Sequence, residues 1–127
     1  MIDAAMNGKS VCIRVSRHYY EEKPWAYIGK VRQFSENWIG IEAKAVSVSR
    51  GQTTSIEVDE EFQAFLLPRE NIASIRVLPD KFDLTTIQVD ITGTRLNVLI
   101  EGAPPCFIGD VLAPAAAAEA RMGRPRI

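Results

Sequence analysis

The chain has 127 residues, of which 46% are hydrophobic and 24% are charged, and its formal net charge is −1. This size and composition predict one soluble domain with a hydrophobic core and a short appended segment. The net charge disfavours nucleic-acid binding through overall charge, because neutralising phosphates needs a surplus of Lys and Arg, although a local basic patch stays open. Without a visible secretory signal or a membrane-length apolar run, we expect a cytoplasmic protein with no membrane partner.

Five β-strand patterns joined by polar turns occupy residues 1–80, which we assign to one domain. Gly29 lies inside the second pattern, where a glycine weakens a strand unless the backbone bends or approaches a neighbour closely. In the third pattern, Ile39 and Ile41 alternate with polar or small residues and predict an inward face. Short strands with a glycine bend fit a small, strongly bent, five-stranded barrel. The predicted strands cover residues 11–15, 25–34, 38–48, 53–67 and 72–78.

A further β-hairpin is predicted in residues 81–112, with a turn at Thr92-Gly93-Thr94 between two alternating runs. A lone hairpin is marginal in water, so we expect it to pack on the barrel or on a neighbouring subunit. Ala103-Pro104-Pro105 reads as a rigid connector. Residues 113–127 form an alanine-rich basic tail with a short helix, and the whole chain is therefore predicted to be all-β apart from that tail.

Two separated blocks resemble the two halves of the Sm-like (LSm) signature, over about residues 11–80. In the first block Gly29, Val31 and Phe34 match, and in the second Asn71-Ile72 and Ile75 match. The resemblance implies a small barrel that assembles into a homo-oligomeric ring, and single-stranded RNA is the family's usual ligand. It implies a binding protein without catalysis.

Positions that line the RNA-contacting face in this family differ in this chain. The family's acidic residue is Ser35, its asparagine is Ile39, and its arginine–glycine pair is Pro68-Arg69. The fold therefore carries over better than the activity. The alternative function is a structural or protein-interaction module that kept the barrel and lost the RNA site.

The resemblance also places the candidate sites. RNA would meet the two turns that come together in an Sm-like barrel, with an exposed Trp stacking on a base. In the other interpretation, Trp38 fills the end of the barrel and the polar residues satisfy turn backbone. Ring contacts would form where the fourth strand of one subunit pairs with the fifth strand of the next. The candidate RNA-binding residues are Asn37, Trp38, Arg69 and Asn71, and the candidate interface residues are Phe65, Leu67, Ile72, Ser74 and Arg76.

No residue pattern points to a metal, a cofactor or catalysis. His18 is the sole histidine and has no accompanying ligand cluster or nucleophile motif. Cys12 and Cys106 have no metal-ligand spacing and are predicted to be two reduced thiols. The acidic run at residues 57–61 is predicted to be a solvated face or a guard against wrong edge pairing.

Overall fold

The computed structural model describes residues 5–16, 24–49 and 55–111, and these form antiparallel β-structure in two sheets. The strands are β1 Ser10–Val15, β2 Ala26–Phe34, β3 Trp38–Ser49, β4 Ser55–Val58, β5 Gln63–Pro68, β6 Ile72–Val77, β7 Val89–Thr92, β8 Arg95–Val98 and β9 Cys106–Asp110. Strands β4, β3, β2, β1 and β6 follow one another across the first sheet, and β5 also pairs with β3. The second sheet has the order β7-β8-β9, and a single 3-10 turn, Arg69–Asn71, joins β5 to β6.

The strand predicted at residues 53–67 is wrong as a single strand, because β4 and β5 are separate. The first half of β3 pairs with β5, and its second half pairs with β4. At the break, the Ala45 N–H donates to Asp59 Oδ2 at 3.0 Å, and the Asp59 N–H donates to the Ala45 carbonyl at 3.0 Å. The Asp59 carboxylate thus takes the place of a ladder carbonyl, which lets the chain leave the sheet between the two strands.

In the described part of the chain, β5 and β6 do not pair with each other, and the 3-10 turn lies between them. The strand order β6-β1-β2-β3, with β4 and β5 both on β3, is nevertheless a single curved path. The free outer edges of β5 and β6 consequently lie at its two ends.

Gly29 confirms the predicted close approach of two backbones. A Cβ atom at this position would lie 2.1 Å from the Glu42 carbonyl oxygen and 2.5 Å from the Ala43 Cα. Two residues further along, the register of β2 on β3 shifts between Val31 and Gln33, which marks a bulge. A glycine and a bulge this close together bend the β2–β3 pair sharply.

The inner face of the first sheet is one hydrophobic core. The alternation predicted for β3 is confirmed, because its odd-numbered residues from Ile39 to Ala45 all face this core. Leu67 of β5 is packed inside this core, just before the 3-10 turn. The buried members are Val11, Ile13, Tyr27, Val31, Ile39, Ile41, Ala43, Ala45 and Leu67.

Part of the outer face of the same sheet is covered by the second sheet, and a second hydrophobic core lies between them. The rest of that face is exposed and carries Lys30, Arg32 and Glu42. The Trp25 ring lies against the backbone of Gly109, where an added Cβ would come within 2.3 Å of the ring. The predicted hairpin is present as β7 and β8, and Gly93 turns it with φ +65°. The hairpin packs on the first sheet of the same chain, although the described strands do not pair into a closed barrel. Buried members include Cys12, Trp25, Ile28, Val46, Val48, Leu78, Leu96, Val98, Ile100, Cys106 and Ile108.

Strand β9 was not predicted from the sequence. Its five residues are nearly all apolar or glycine, so a polar–apolar alternation is missing. The predicted tail helix lies outside the described residues.

We expect Gly29→Ala to destabilise the protein by at least about 1–3 kcal/mol, because the new methyl group meets backbone atoms that have no room to move. The matched control is Gly40→Ala in the paired strand, where the nearest atom would be 3.7 Å from the new Cβ. That variant should unfold at the same urea concentration as the parent or slightly above it. Equal stability of the two variants would contradict the close-approach account.

Candidate functional site

The turn between β2 and β3 and the turn between β5 and β6 lie side by side, as predicted. We call residues 35–38 together with residues 68–71 the turn pole. The Arg69 N–H donates to the Asn37 carbonyl at 3.0 Å. The Arg69 guanidinium donates through Nη1 to the carbonyls of Ser35 at 2.9 Å and Glu36 at 3.2 Å. One arginine therefore fixes both turns to each other.

The Arg69 side chain also contacts an aromatic ring at the end of β2. The guanidinium carbon lies 4.7 Å from the centre of the Phe34 ring, within cation–π range. Phe34 is the last residue of β2 and packs partly against the inner core. The position of the turn pole is thus set by the same core that holds the sheet.

Trp38 lies at the surface of the turn pole. Its side chain is 44% exposed, and it opens β3 opposite Pro68 of β5. The interpretation in which Trp38 fills the end of the barrel therefore does not fit the structure. Asn37, the residue before it, is also exposed. An indole held on rigid strand backbone and open to solvent is a suitable platform for stacking.

Asn71, the fourth candidate residue, ends the 3-10 turn and is exposed. Its carbonyl accepts a hydrogen bond from the Ser16 N–H at 2.7 Å, which ties the turn to the end of β1. All four candidate RNA-binding residues accordingly lie in the two adjacent turns. Asn37 accepts a backbone hydrogen bond from Arg69 and directly precedes Trp38.

Two positions at which the chain departs from the Sm-like pattern serve the fold. The Ser35 hydroxyl donates to the Trp38 carbonyl at 2.8 Å and closes the β2–β3 turn. Ile39 is 1% exposed and belongs to the inner core. Both side chains are therefore engaged within the fold.

Charge at the turn pole is slightly negative. Arg69 is its cation, whereas Glu36 and Glu70 are both exposed and acidic. Two carboxylates beside one guanidinium reduce the attraction for phosphate. Any nucleic acid that binds there is held by stacking and hydrogen bonding more than by charge.

The candidate interface residues divide into buried and accessible ones. Leu67 is buried in the inner core, and Phe65 packs edge-to-face on Tyr27 with ring centres 4.7 Å apart. Ile72 packs partly against the same core, whereas Ser74 is exposed. The Arg76 guanidinium is engaged within the subunit, where it donates to backbone carbonyls of the segment that precedes β9.

Sequence reasoning missed the apolar side chains that are in fact exposed on the edge strands. Leu66 on β5 is 60% exposed, and Val77 on β6 is 48% exposed. In the pair Leu66-Leu67 only one residue can face the core, and the strand register that decides between them is fixed by pairing with β3. The sequence alternation around Leu67 alone does not show which of the two leucines faces the core.

The described part of the chain contains no group of three or more His, Cys, Asp or Glu side chains that could hold a metal ion. No helix within it is long and apolar enough to cross a membrane. His18 and the alanine-rich tail lie outside the described residues.

No family model, no curated protein and no solved structure matches this chain. The resemblance to Sm-like proteins therefore rests on the two sequence blocks within residues 11–80. The geometry of the turn pole and of the two free edges stands independently of that resemblance.

We expect Trp38→Ala to leave the thermal unfolding midpoint nearly unchanged, because Trp38 is 44% exposed and belongs to neither hydrophobic core. Its neighbour supplies the control, since Ile39→Ala removes a fully buried side chain and should cost about 2–5 kcal/mol. Circular dichroism during heating measures both. A loss in Trp38→Ala as large as that in Ile39→Ala would show that the indole is a structural residue.

Proposed function

We propose that this chain is a non-catalytic binding protein of the Sm-like type, which assembles into a ring of identical subunits and binds single-stranded RNA at the turn pole. The observation that carries the proposal is the exposed indole of Trp38 beside Asn37 and Arg69, held by two turns that one arginine fixes together. Each subunit of a ring would present one such pole.

Binding at the pole would combine stacking with base-edge recognition. A base stacked on Trp38 contributes about 1–3 kcal/mol. The side-chain amides of Asn37 and Asn71 supply both donors and acceptors, which is what an unpaired base edge requires. Because the pole has a single cation and two carboxylates, we expect weak binding with a shallow dependence on salt.

Ring assembly would proceed by strand pairing at the free edges. In the described residues β5 is paired only with β3, and β6 only with β1, so each has an open edge. The exposed Leu66 and Val77 lie on these two strands and would lose contact with water on assembly. Such a contact joins two different surfaces, and it closes into a ring when the rotation between subunits permits.

The register of β6 on β1 shows which amides are available for pairing. The Leu78 N–H donates to the Ser10 carbonyl at 2.8 Å. The cross-strand pairs Cys12–Arg76 and Arg14–Ser74 lie two and four residues further along β1, so they are hydrogen-bonded pairs of the same kind. In an antiparallel ladder such pairs alternate with pairs whose amides face away. The amide of Ser74 therefore faces β1, whereas the amide of Val77 faces outward.

A protein-interaction module is the second candidate function. Its support is the use of Ser35 to close a turn and of Ile39 to fill the core, at positions that would otherwise face RNA. Under this alternative, Trp38 and Leu66 would meet a protein surface, and RNA would not bind.

We expect Trp38→Ala to weaken binding of a U-rich or A-rich RNA oligomer roughly five- to a hundred-fold, since one stacked base is lost. Fluorescence anisotropy at low salt measures the affinity. Phe62→Ala is the control, because Phe62 is also an exposed aromatic residue but lies outside the turn pole. Absence of binding by the parent chain at tens of micromolar would favour the interaction module.

For assembly, we expect light scattering to give the parent chain a mass that is a multiple of the 14.1 kDa subunit. Val77→Pro should yield monomers, because proline removes an outward donor without removing a bond to β1. Val77→Ala keeps that donor and should keep the assembly. A monomeric parent chain would refute ring formation.

A further inference from the structure

The chain's two cysteines meet between the two sheets. Cys12 lies on the outer face of β1 and Cys106 opens β9, and both belong to the core that joins the sheets. They are 1% and 7% exposed, respectively, and both are free thiols. Each thiol is the largest influence on the pKa of the other, as expected for neighbouring side chains in one core. Two residues far apart in sequence are therefore brought together by the packing of the sheets.

Arg76 holds this arrangement in place. It is the cross-strand partner of Cys12 on β6. Its guanidinium donates through Nη2 to the Pro104 carbonyl at 2.7 Å and through Nη1 to the Pro105 carbonyl at 2.9 Å. Because these two prolines directly precede Cys106, the arginine fixes that thiol over Cys12 and places a positive charge beside the pair.

The two thiols differ in acidity in the way that a reacting pair requires. The hydrogen bond from Cys12 and the charge of Arg76 lower the pKa of Cys106 to about 7, against the opposing effect of burial. The hydrogen bond to Cys106 and burial raise the pKa of Cys12. Cys106 is therefore the more acidic thiol of the pair, which favours it as the nucleophile.

We propose that Cys12 and Cys106 form a reversible intramolecular disulfide that joins the two sheets, with hydrogen peroxide as the oxidant. The Cys106 thiolate attacks one peroxide oxygen, the O–O bond breaks, and the leaving hydroxide takes a proton to become water. The Cys12 sulfur then attacks the resulting sulfenic acid. The S–S bond forms as the S–O bond breaks, and the Cys12 proton leaves with the hydroxide as a second water.

Two electrons pass from the two thiols to the peroxide in this sequence. A dithiol such as dithiothreitol reverses it by thiol–disulfide exchange. Since the sulfurs are nearly inaccessible, oxidation should be slow compared with that of an exposed thiol. The link would close a long loop of the chain and would prevent the second sheet from separating from the first.

The test treats the full chain with hydrogen peroxide, denatures it, alkylates free thiols and measures the intact mass. We expect the monomer to lose two hydrogens, to take up no alkyl groups, and to recover both thiols after dithiothreitol. Its unfolding midpoint should rise by at least about 5 °C on oxidation and return on reduction.

The single variants assign the roles. In Cys12→Ala, Cys106 should stop at a sulfenic acid that dimedone traps. In Cys106→Ala, Cys12 should stay unmodified under the same treatment. Peroxide-treated parent chain that keeps both thiols free, forms disulfide-linked dimers, or gains oxygen at either cysteine without losing two hydrogens would overturn the proposal, whether or not the variants fold.

Discussion

Packing of the second sheet on the outer face of β1, β2 and β3 is the interaction on which the rest of the structure depends. The Trp25 ring lies against Gly109, and Ile28 and Val46 belong to the same core as the buried residues of β8 and β9. Fully burying each aliphatic side chain contributes about 1.5–3 kcal/mol. An isolated three-stranded sheet has no layer against which to bury its apolar face, so the second sheet depends on the first for stability.

Burial on both faces decides where partners can bind. The first half of β2 and the second half of β3 are buried on both faces, because one core fills the inside and the other covers that part of the outside. The rest of the outer face is exposed and carries the ion pair of Arg32 and Glu42. The open strand edges, with Leu66 and Val77, and the turn pole, with Trp38, are accessible as well. The proposed ring contacts and the proposed RNA contact use those surfaces and leave both cores intact.

The local backbone features could be predicted from the sequence. Gly29 and Gly93 stand where a bend and a tight turn are needed, and the alternation around Ile39 and Ile41 marks a buried face. The adjacency of Trp38 and Arg69 followed from the Sm-like resemblance, and the hydrogen bonds of Arg69 give it a physical basis.

Features that depend on contacts distant in sequence could not be predicted. The break between β4 and β5 arises because the Asp59 side chain bonds Ala45, and nothing in the acidic run distinguishes that carboxylate from its neighbours. Strand β9 has no alternation, since Gly109 is needed to admit Trp25. Cys106 likewise lies near Cys12 only because the second sheet packs on the first.

The most direct test of this account compares the full chain with one that ends after Asp80. Removing the second sheet would expose the face that contains Trp25 and Val46. We predict that the shortened chain aggregates or shows no cooperative thermal transition by circular dichroism, whereas the full chain unfolds in one transition. A soluble shortened chain with the midpoint of the full chain would contradict the account.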